Sequence, residues 1–184
     1  MQLSDAQPLK LMAFDIDGVM TDGRLHFAPD GSELKSFNSQ DGLGIAFLHK
    51  AKLDIAIISG RAAPVVEARA ANLGIKHVYQ GVRDKKARLD ELRVALKLEW
   101  RQVGFMGDDW VDLPPMQACG FVAAPANAHA RVHAFIAQRA GLLCQAAGGR
   151  GAVREACEHI LERQGLLSDL WAQFCPEEPA LRRR

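Results

Sequence analysis

Three apolar runs in this chain end in residues that can do chemistry. In "LMAFDIDGVMTDG" (11–23), four apolar residues lead straight into Asp15, Asp17 and Asp22, with glycines between them. "AIISGR" ends in Ser59, Gly60 and Arg61, and "QVGFMGDD" ends in Asp108 and Asp109, with Asp112 close behind. Carboxylates are rarely fully buried unless they are paired or bound to a metal. Such an end is therefore either a solvated turn or a strand that delivers acids to a site wanting negative charge. Asp108 and Asp112 stand four apart, so one helical turn can put them on one face.

The elements that must carry these residues alternate. Apolar strands are expected at 11–15, 53–59, 76–80 and 102–109, with further short strands in "GFVAAP" and "GLLCQ". Helices are expected at 41–51, in "APVVEARAANLG" with Pro64 near its first turn and Gly74 past its end, at 85–98, in a proline-interrupted stretch after Asp112, from about 127, and at 151–163. The segment 24–37 reads as a β-hairpin turning at Pro29-Asp30-Gly31-Ser32. Its alternation in "RLHF" and "ELKSF" suggests one apolar and one polar face. Strands separated by helices predict a Rossmann-like three-layer α/β/α fold around a parallel sheet. In such sheets ligands bind beyond the C-terminal strand ends, near a topological switch point, so all three clusters should meet on one rim.

Bulk properties narrow the options. The 184 residues suit a single domain, 1–184, with the hairpin and a C-terminal tail (165–184) as appendages. A net charge of +1 gives no reason to expect nucleic acid or an anionic membrane. No apolar run approaches the roughly 20 residues of a membrane helix, and "MQLSDAQPLK" has no signal-peptide pattern. Cys119, Cys144, Cys157 and Cys175 are widely spaced and form no CxxC pair, which suggests reduced thiols in a cytoplasmic protein.

Taken together, Asp15-Ile16-Asp17-Gly18, Ser59, Lys85 and Gly107-Asp108-Asp109 resemble the haloacid dehalogenase superfamily of phosphotransferases, whose motifs occur in this order. The resemblance implies an Mg²⁺-dependent reaction through an aspartyl-phosphate. Asp15 would be the nucleophile and Asp17 the general acid and base. Asp15, the Asp17 backbone carbonyl and Asp108 would hold the metal, and Ser59 and Lys85 the phosphate. Asp109 and Asp112 would hold metal-bound waters or orient Lys85.

"FDIDGVMTDG", "FNSQDGLGI", "LGIKHVYQG", "GDDWVDLP" and "GGRGAVREACEHIL" narrow the resemblance to the capless 3-deoxy-D-manno-octulosonate 8-phosphate phosphatases, which serve lipopolysaccharide precursor synthesis. The segments between Asp17, Ser59 and Lys85 are too short for an inserted cap domain. By this resemblance the protein is a homotetramer in which the hairpin packs among subunits and a neighbour covers the site. Asn38, Asp41, Gly42, Arg61 and Arg69 would bind the sugar acid, with arginine suited to its carboxylate. Gly148–Gly151 would match a mobile segment that reaches into a site. The family usually has a basic residue where this chain has Ala46, and Lys50 is the available substitute one turn on. Other readings are a phosphatase for another sugar acid phosphate, such as a nonulosonate 9-phosphate, and a non-catalytic oligomerisation module. Arg61 favours the octulosonate, because the nonulosonate clade tends to carry Glu there. The apolar stretch 166–174 is expected to fold onto a neighbouring subunit.

Overall fold

The computed structural model describes residues 8–176. Six parallel strands form one sheet in the order β5 (His77–Tyr79), β4 (Asp54–Ile58), β1 (Leu11–Phe14), β6 (Val103–Met106), β7 (Phe121–Ala124) and β8 (Leu142–Leu143). A separate antiparallel hairpin pairs β2 (His26–Phe27) with β3 (Glu33–Leu34). The fold is the expected α/β/α sandwich.

Strand alternation supplies both cores. Successive side chains on a strand point to opposite faces. Met12 and Phe14 of β1, with Ile55 and Ile57 of β4, face one layer, where α1 (Ser39–Lys50), α2 (Pro64–Asn72) and α6 (Ala152–Arg163) pack. Leu11 and Ala13, with Ala56 and Ile58, face the other, covered by α3 (Lys85–Ala95), α4 (Leu113–Ala118) and α5 (Ala130–Gln138). Burial on both faces explains why these strands read as unbroken apolar runs.

The strand order contains a switch point. From β1 the chain builds outward through β4 to β5, then crosses to the other side of β1 for β6, β7 and β8. The C-terminal ends of β1 and β6 thus sit side by side where the winding reverses, the crevice in which open α/β sheets bind ligands.

Two expectations change here. The hairpin register pairs His26 with Leu34 and Phe27 with Glu33. Directly opposed residues share a face, so Phe27 lies with Glu33, and His26 with Leu34. Each face mixes apolar with polar groups, because the turn sets the register and the composition of each strand does not. The tail stretch forms α7 (Leu167–Ala172) and packs on its own subunit: Leu170 is buried in the core, and the Phe174 ring lies 5.7 Å from that of Phe47. The expectation for 177–184 falls outside the described residues. No helix among the described residues is long and apolar enough to cross a membrane, and all four cysteines are unpaired.

Candidate active site

β1 ends at Phe14 and the chain turns at once through a short π-type turn, Ile16–Met20. Gly18 sits there at φ +90°, and a Cβ at this position would come within 2.0 Å of Asp108 Oδ2. Glycine therefore lets the loop after β1 lie against the acid after β6. On the β6 side, a Cβ on Gly107 would fall 2.3 Å from that of Asp112. The missing side chain is the space through which Asp112 folds back under the strand end.

Asp112 is fully buried, and each of its oxygens is taken. Oδ2 accepts the backbone N–H groups of Asp108 (3.0 Å) and Asp109 (3.3 Å), while Oδ1 accepts from Lys85 Nζ at 2.7 Å. Lys85 also reaches Asp15 Oδ1 at 2.9 Å. This lysine opens α3, where a cation opposes the helix dipole. Two carboxylates hold it there against that field. Burial acts to lower its pKa, but Asp15 and Asp112 outweigh burial and the value is raised.

The acids are poised differently. Burial, then the charge of Asp112, pushes Asp15 up to about 6, with Lys85 opposing. Burial and the charges of Asp112, Asp15 and Asp109 push Asp108 up to about 7. Among the described residues no donor hydrogen-bonds the Asp108 carboxylate. Oxygens of Asp15, Asp108 and Asp112 lie within 4.8 Å of one another. With both Asp112 oxygens engaged by protein donors, Asp15 and Asp108 are the carboxylates left to meet a cation. An all-oxygen donor set with excess negative charge fits a hard divalent ion such as Mg²⁺.

Asp15, Asp17, Ser59, Arg61, Lys85, Asp108 and Asp109 line one cavity of about 530 Å³ beyond the strand ends. Ser59 is buried at the end of β4, where its Oγ accepts the Arg61 backbone N–H at 3.3 Å. Asp109 caps the next turn, accepting from the Trp110 N–H at 2.7 Å.

Four predicted substrate residues are not brought into this cavity. Asp41 Oδ1 accepts the Arg154 N–H at 2.9 Å and so serves the start of α6. Burial raises the Asp41 pKa, opposed by that backbone bond. Arg69 Nη2 donates to the Asn38 carbonyl at 3.1 Å, and a Cβ on Gly42 would fall 2.6 Å from the same nitrogen. Asn38 itself caps α1, accepting from the Gln40 N–H at 2.7 Å. These residues form a joint between α1, α2 and α6. Arg69 shares no face with Arg61, which precedes α2 and turns towards Glu33 and Asp17. Asn38 alone borders a second, polar cavity of about 410 Å³, with Asp22, Ser36 and Arg150. Lys50 lies in the last turn of α1, over the Phe174 ring, and is not among the residues that line the cavity. Gly148 and Gly149 pack on the loop after β1 of their own chain, with the Gly149 N–H donating to the Val19 carbonyl at 3.0 Å.

The hairpin supplies groups that the sequence motifs missed. Lys35, just after β3, donates from Nζ to Asp17 Oδ1 and, at 2.6 Å, to Glu33 Oε1. Glu33 Oε2 accepts from Arg61 Nη2 at 2.9 Å. Those bonds, from Lys35 first and then Arg61, lower the Glu33 pKa. The available signal was the spacing of Glu33 and Lys35, two charges two apart on one strand face. Arg83, Leu25 and Val111 also line the main cavity.

A parallel sheet whose switch point gathers Asp15, Asp17, Ser59, Lys85 and Asp108 defines a hydrolase of the haloacid dehalogenase superfamily. A Legionella pneumophila protein assigned to that superfamily (subfamily III A) superposes with a TM-score of 0.86 at 37% identity, covering 95% of this chain and 94% of the other. No family model matches the sequence. The 3-deoxy-D-manno-octulosonate 8-phosphate phosphatase KdsC of Escherichia coli K12 is 39% identical over 171 residues, 93% of this chain and 89% of the relative. A solved 3-deoxy-D-manno-octulosonate 8-phosphate phosphatase from Moraxella catarrhalis, in complex with magnesium, phosphate and a KDO molecule, gives a TM-score of 0.85 at 36% identity over 94% of this chain and 97% of that one. The chain belongs to the 3-deoxy-D-manno-octulosonate 8-phosphate phosphatase family.

Proposed function

We propose that the protein is an Mg²⁺-dependent phosphatase that hydrolyses 3-deoxy-D-manno-octulosonate 8-phosphate to the free sugar acid and phosphate, a step in lipopolysaccharide precursor synthesis. The observation that carries this is the convergence at one switch point of Asp15 and Asp108, both raised towards neutral pH, with a buried lysine that bridges Asp15 and Asp112 and an Asp17 carboxylate oxygen that has no hydrogen-bond partner. Asp15 attacks phosphorus and becomes the aspartyl-phosphate while Asp17 protonates the departing sugar oxygen. Asp17 then takes a proton from the water that attacks the same phosphorus, and Asp15 is released. Lys85 and Ser59 hold the phosphoryl oxygens, and Asp112 keeps Lys85 aimed at them. Asp15, Asp108 and the Asp17 backbone carbonyl would hold Mg²⁺, which when bound would neutralise the phosphate charge that repels the nucleophile.

Arg61, at the cavity mouth, reads the sugar carboxylate. Asn38 meets the far end of the sugar from the second, polar cavity. Asp41, Gly42 and Arg69 act from behind, by holding the start of α1. The chain works as one domain, in the cytoplasm, as a homotetramer in which a neighbour closes the site. Support for that assembly comes from apolar side chains left open on the hairpin and rim, Phe27 at 60% exposure and Val111 at 62% among them. The test is phosphate release with Mg²⁺ and with EDTA from the octulosonate 8-phosphate, a nonulosonate 9-phosphate, hexose phosphates and p-nitrophenyl phosphate. Mg²⁺-dependent turnover that strongly favours the octulosonate is expected. A preference for the nonulosonate would reassign the substrate, and no activity on any of them would leave a non-catalytic module.

A further inference from the structure

Asp17 has two carboxylate oxygens in unequal surroundings. Oδ1 accepts from Lys35 Nζ. Oδ2 is buried, has no hydrogen-bond partner, and has the Arg61 Nε 3.8 Å away. Lys35 is itself held from the far side: its side chain is 2% exposed and its ammonium also bonds Glu33, which is anchored in turn by Arg61. A lysine on a solvated hairpin would ordinarily keep its head group in water. Here a flexible four-carbon stem is laid flat and its charge spent on one oxygen of the acid–base residue.

We propose that Lys35 is a positioning residue for phosphoryl transfer, pinning Oδ1 of Asp17 so that Oδ2 is the oxygen that carries the proton. This rests on the phosphatase reading given above. In the first half-reaction the bond from Asp15 to phosphorus forms, the bond from phosphorus to the sugar oxygen breaks, and the Oδ2 proton passes to that oxygen. In the second, water attacks phosphorus, the bond to Asp15 breaks, and the water's proton returns to Oδ2. A carboxylate free to rotate would offer either oxygen, in either direction. With Oδ1 pinned, the same atom faces the reacting oxygen in both halves. Glu33 fixes Lys35 and gives the hairpin a part in the reaction.

The experiment compares wild type, Lys35→Met, Lys35→Arg and Glu33→Gln on two substrates, with Mg²⁺ present. The sugar oxygen of the octulosonate 8-phosphate needs a proton to leave, whereas p-nitrophenolate does not. For Lys35→Met, kcat on the octulosonate falls at least about tenfold with KM little changed, in line with the loss of well-placed acid–base catalysis. On p-nitrophenyl phosphate the same variant releases a burst of one p-nitrophenolate per subunit and then turns over slowly, because only its second half-reaction needs Asp17. Lys35→Arg recovers most of the rate, and Glu33→Gln loses rate in the same pattern but less. Unchanged kcat in Lys35→Met, or a raised KM with kcat intact, would overturn the positioning role while wild-type turnover kept the phosphatase reading. A wild type inactive on both substrates would instead overturn that reading, and this role with it.

Discussion

Replacing Asp108 by Asn should make the metal-free protein more stable, although it removes a proposed metal ligand. The sign follows from the raised pKa. Burial pushes Asp108 up to about 7 in the fold, against 3.8 for an unperturbed aspartate, so folding penalises the ionised form. The penalty is absent below about pH 4, grows as pH rises through 4 to 7, and is complete above 7. About three pKa units at about 1.4 kcal/mol each set a ceiling of about 4 kcal/mol. The carboxylate is partly open to solvent, so screening brings the expected gain to about 1–2 kcal/mol. Asn conserves shape, and no hydrogen bond to the Asp108 carboxylate is lost. Urea denaturation in EDTA at pH 5 and pH 8 measures this directly. The Asp108→Asn midpoint should exceed wild type at pH 8 by an amount equivalent to roughly 2–8 °C in Tm, with a smaller difference at pH 5. Saturating Mg²⁺ should reverse the order, since binding stabilises only the protein that retains the site. A variant no more stable than wild type in EDTA at pH 8 would refute the view of Asp108 as a half-buried charge awaiting a cation.

Other substitutions probe other parts of the account. Lys85→Met strands Asp15 and Asp112 without their shared cation, and should cost about 3–5 kcal/mol in urea denaturation as well as abolishing turnover. Lys50→Ala should leave KM for the octulosonate unchanged in steady-state kinetics, because Lys50 sits at the far end of α1 against Phe174. Leu170→Ala should lower stability by about 2–4 kcal/mol while the mass measured by light scattering stays the same, since Leu170 is buried in its own subunit.

The sequence exposed the sheet and the candidate catalytic acids for one physical reason. β1, β4 and β6 are buried on both faces, so any charged residue at their ends interrupts an apolar run and stands out. Parallel winding then forces those ends onto one rim. The contributions of the hairpin and helices were harder to read. Asp41 and Arg69 meet Arg154 and the Asn38 carbonyl where α1 packs against α6 and α2, and Gly42 leaves room for Arg69, an arrangement that depends on helix placement that sequence periodicity does not reveal. Lys35 and Glu33 look like ordinary charges on a solvated hairpin until the loop after β1 puts Asp17 beside them. Register, which two-residue strands specify weakly, also decided which hairpin residues share a face.

In the proposed reaction Asp15 carries the phosphoryl group. Mixing the enzyme and Mg²⁺ with octulosonate labelled in its 8-phosphate, quenching with acid within one turnover and mapping the peptides tests this most directly. Label is expected on the peptide containing Asp15, at no other site, and none in Asp15→Asn, which should fold normally and release no phosphate. Label on another residue, or phosphate release by Asp15→Asn at a rate near wild type, would contradict it.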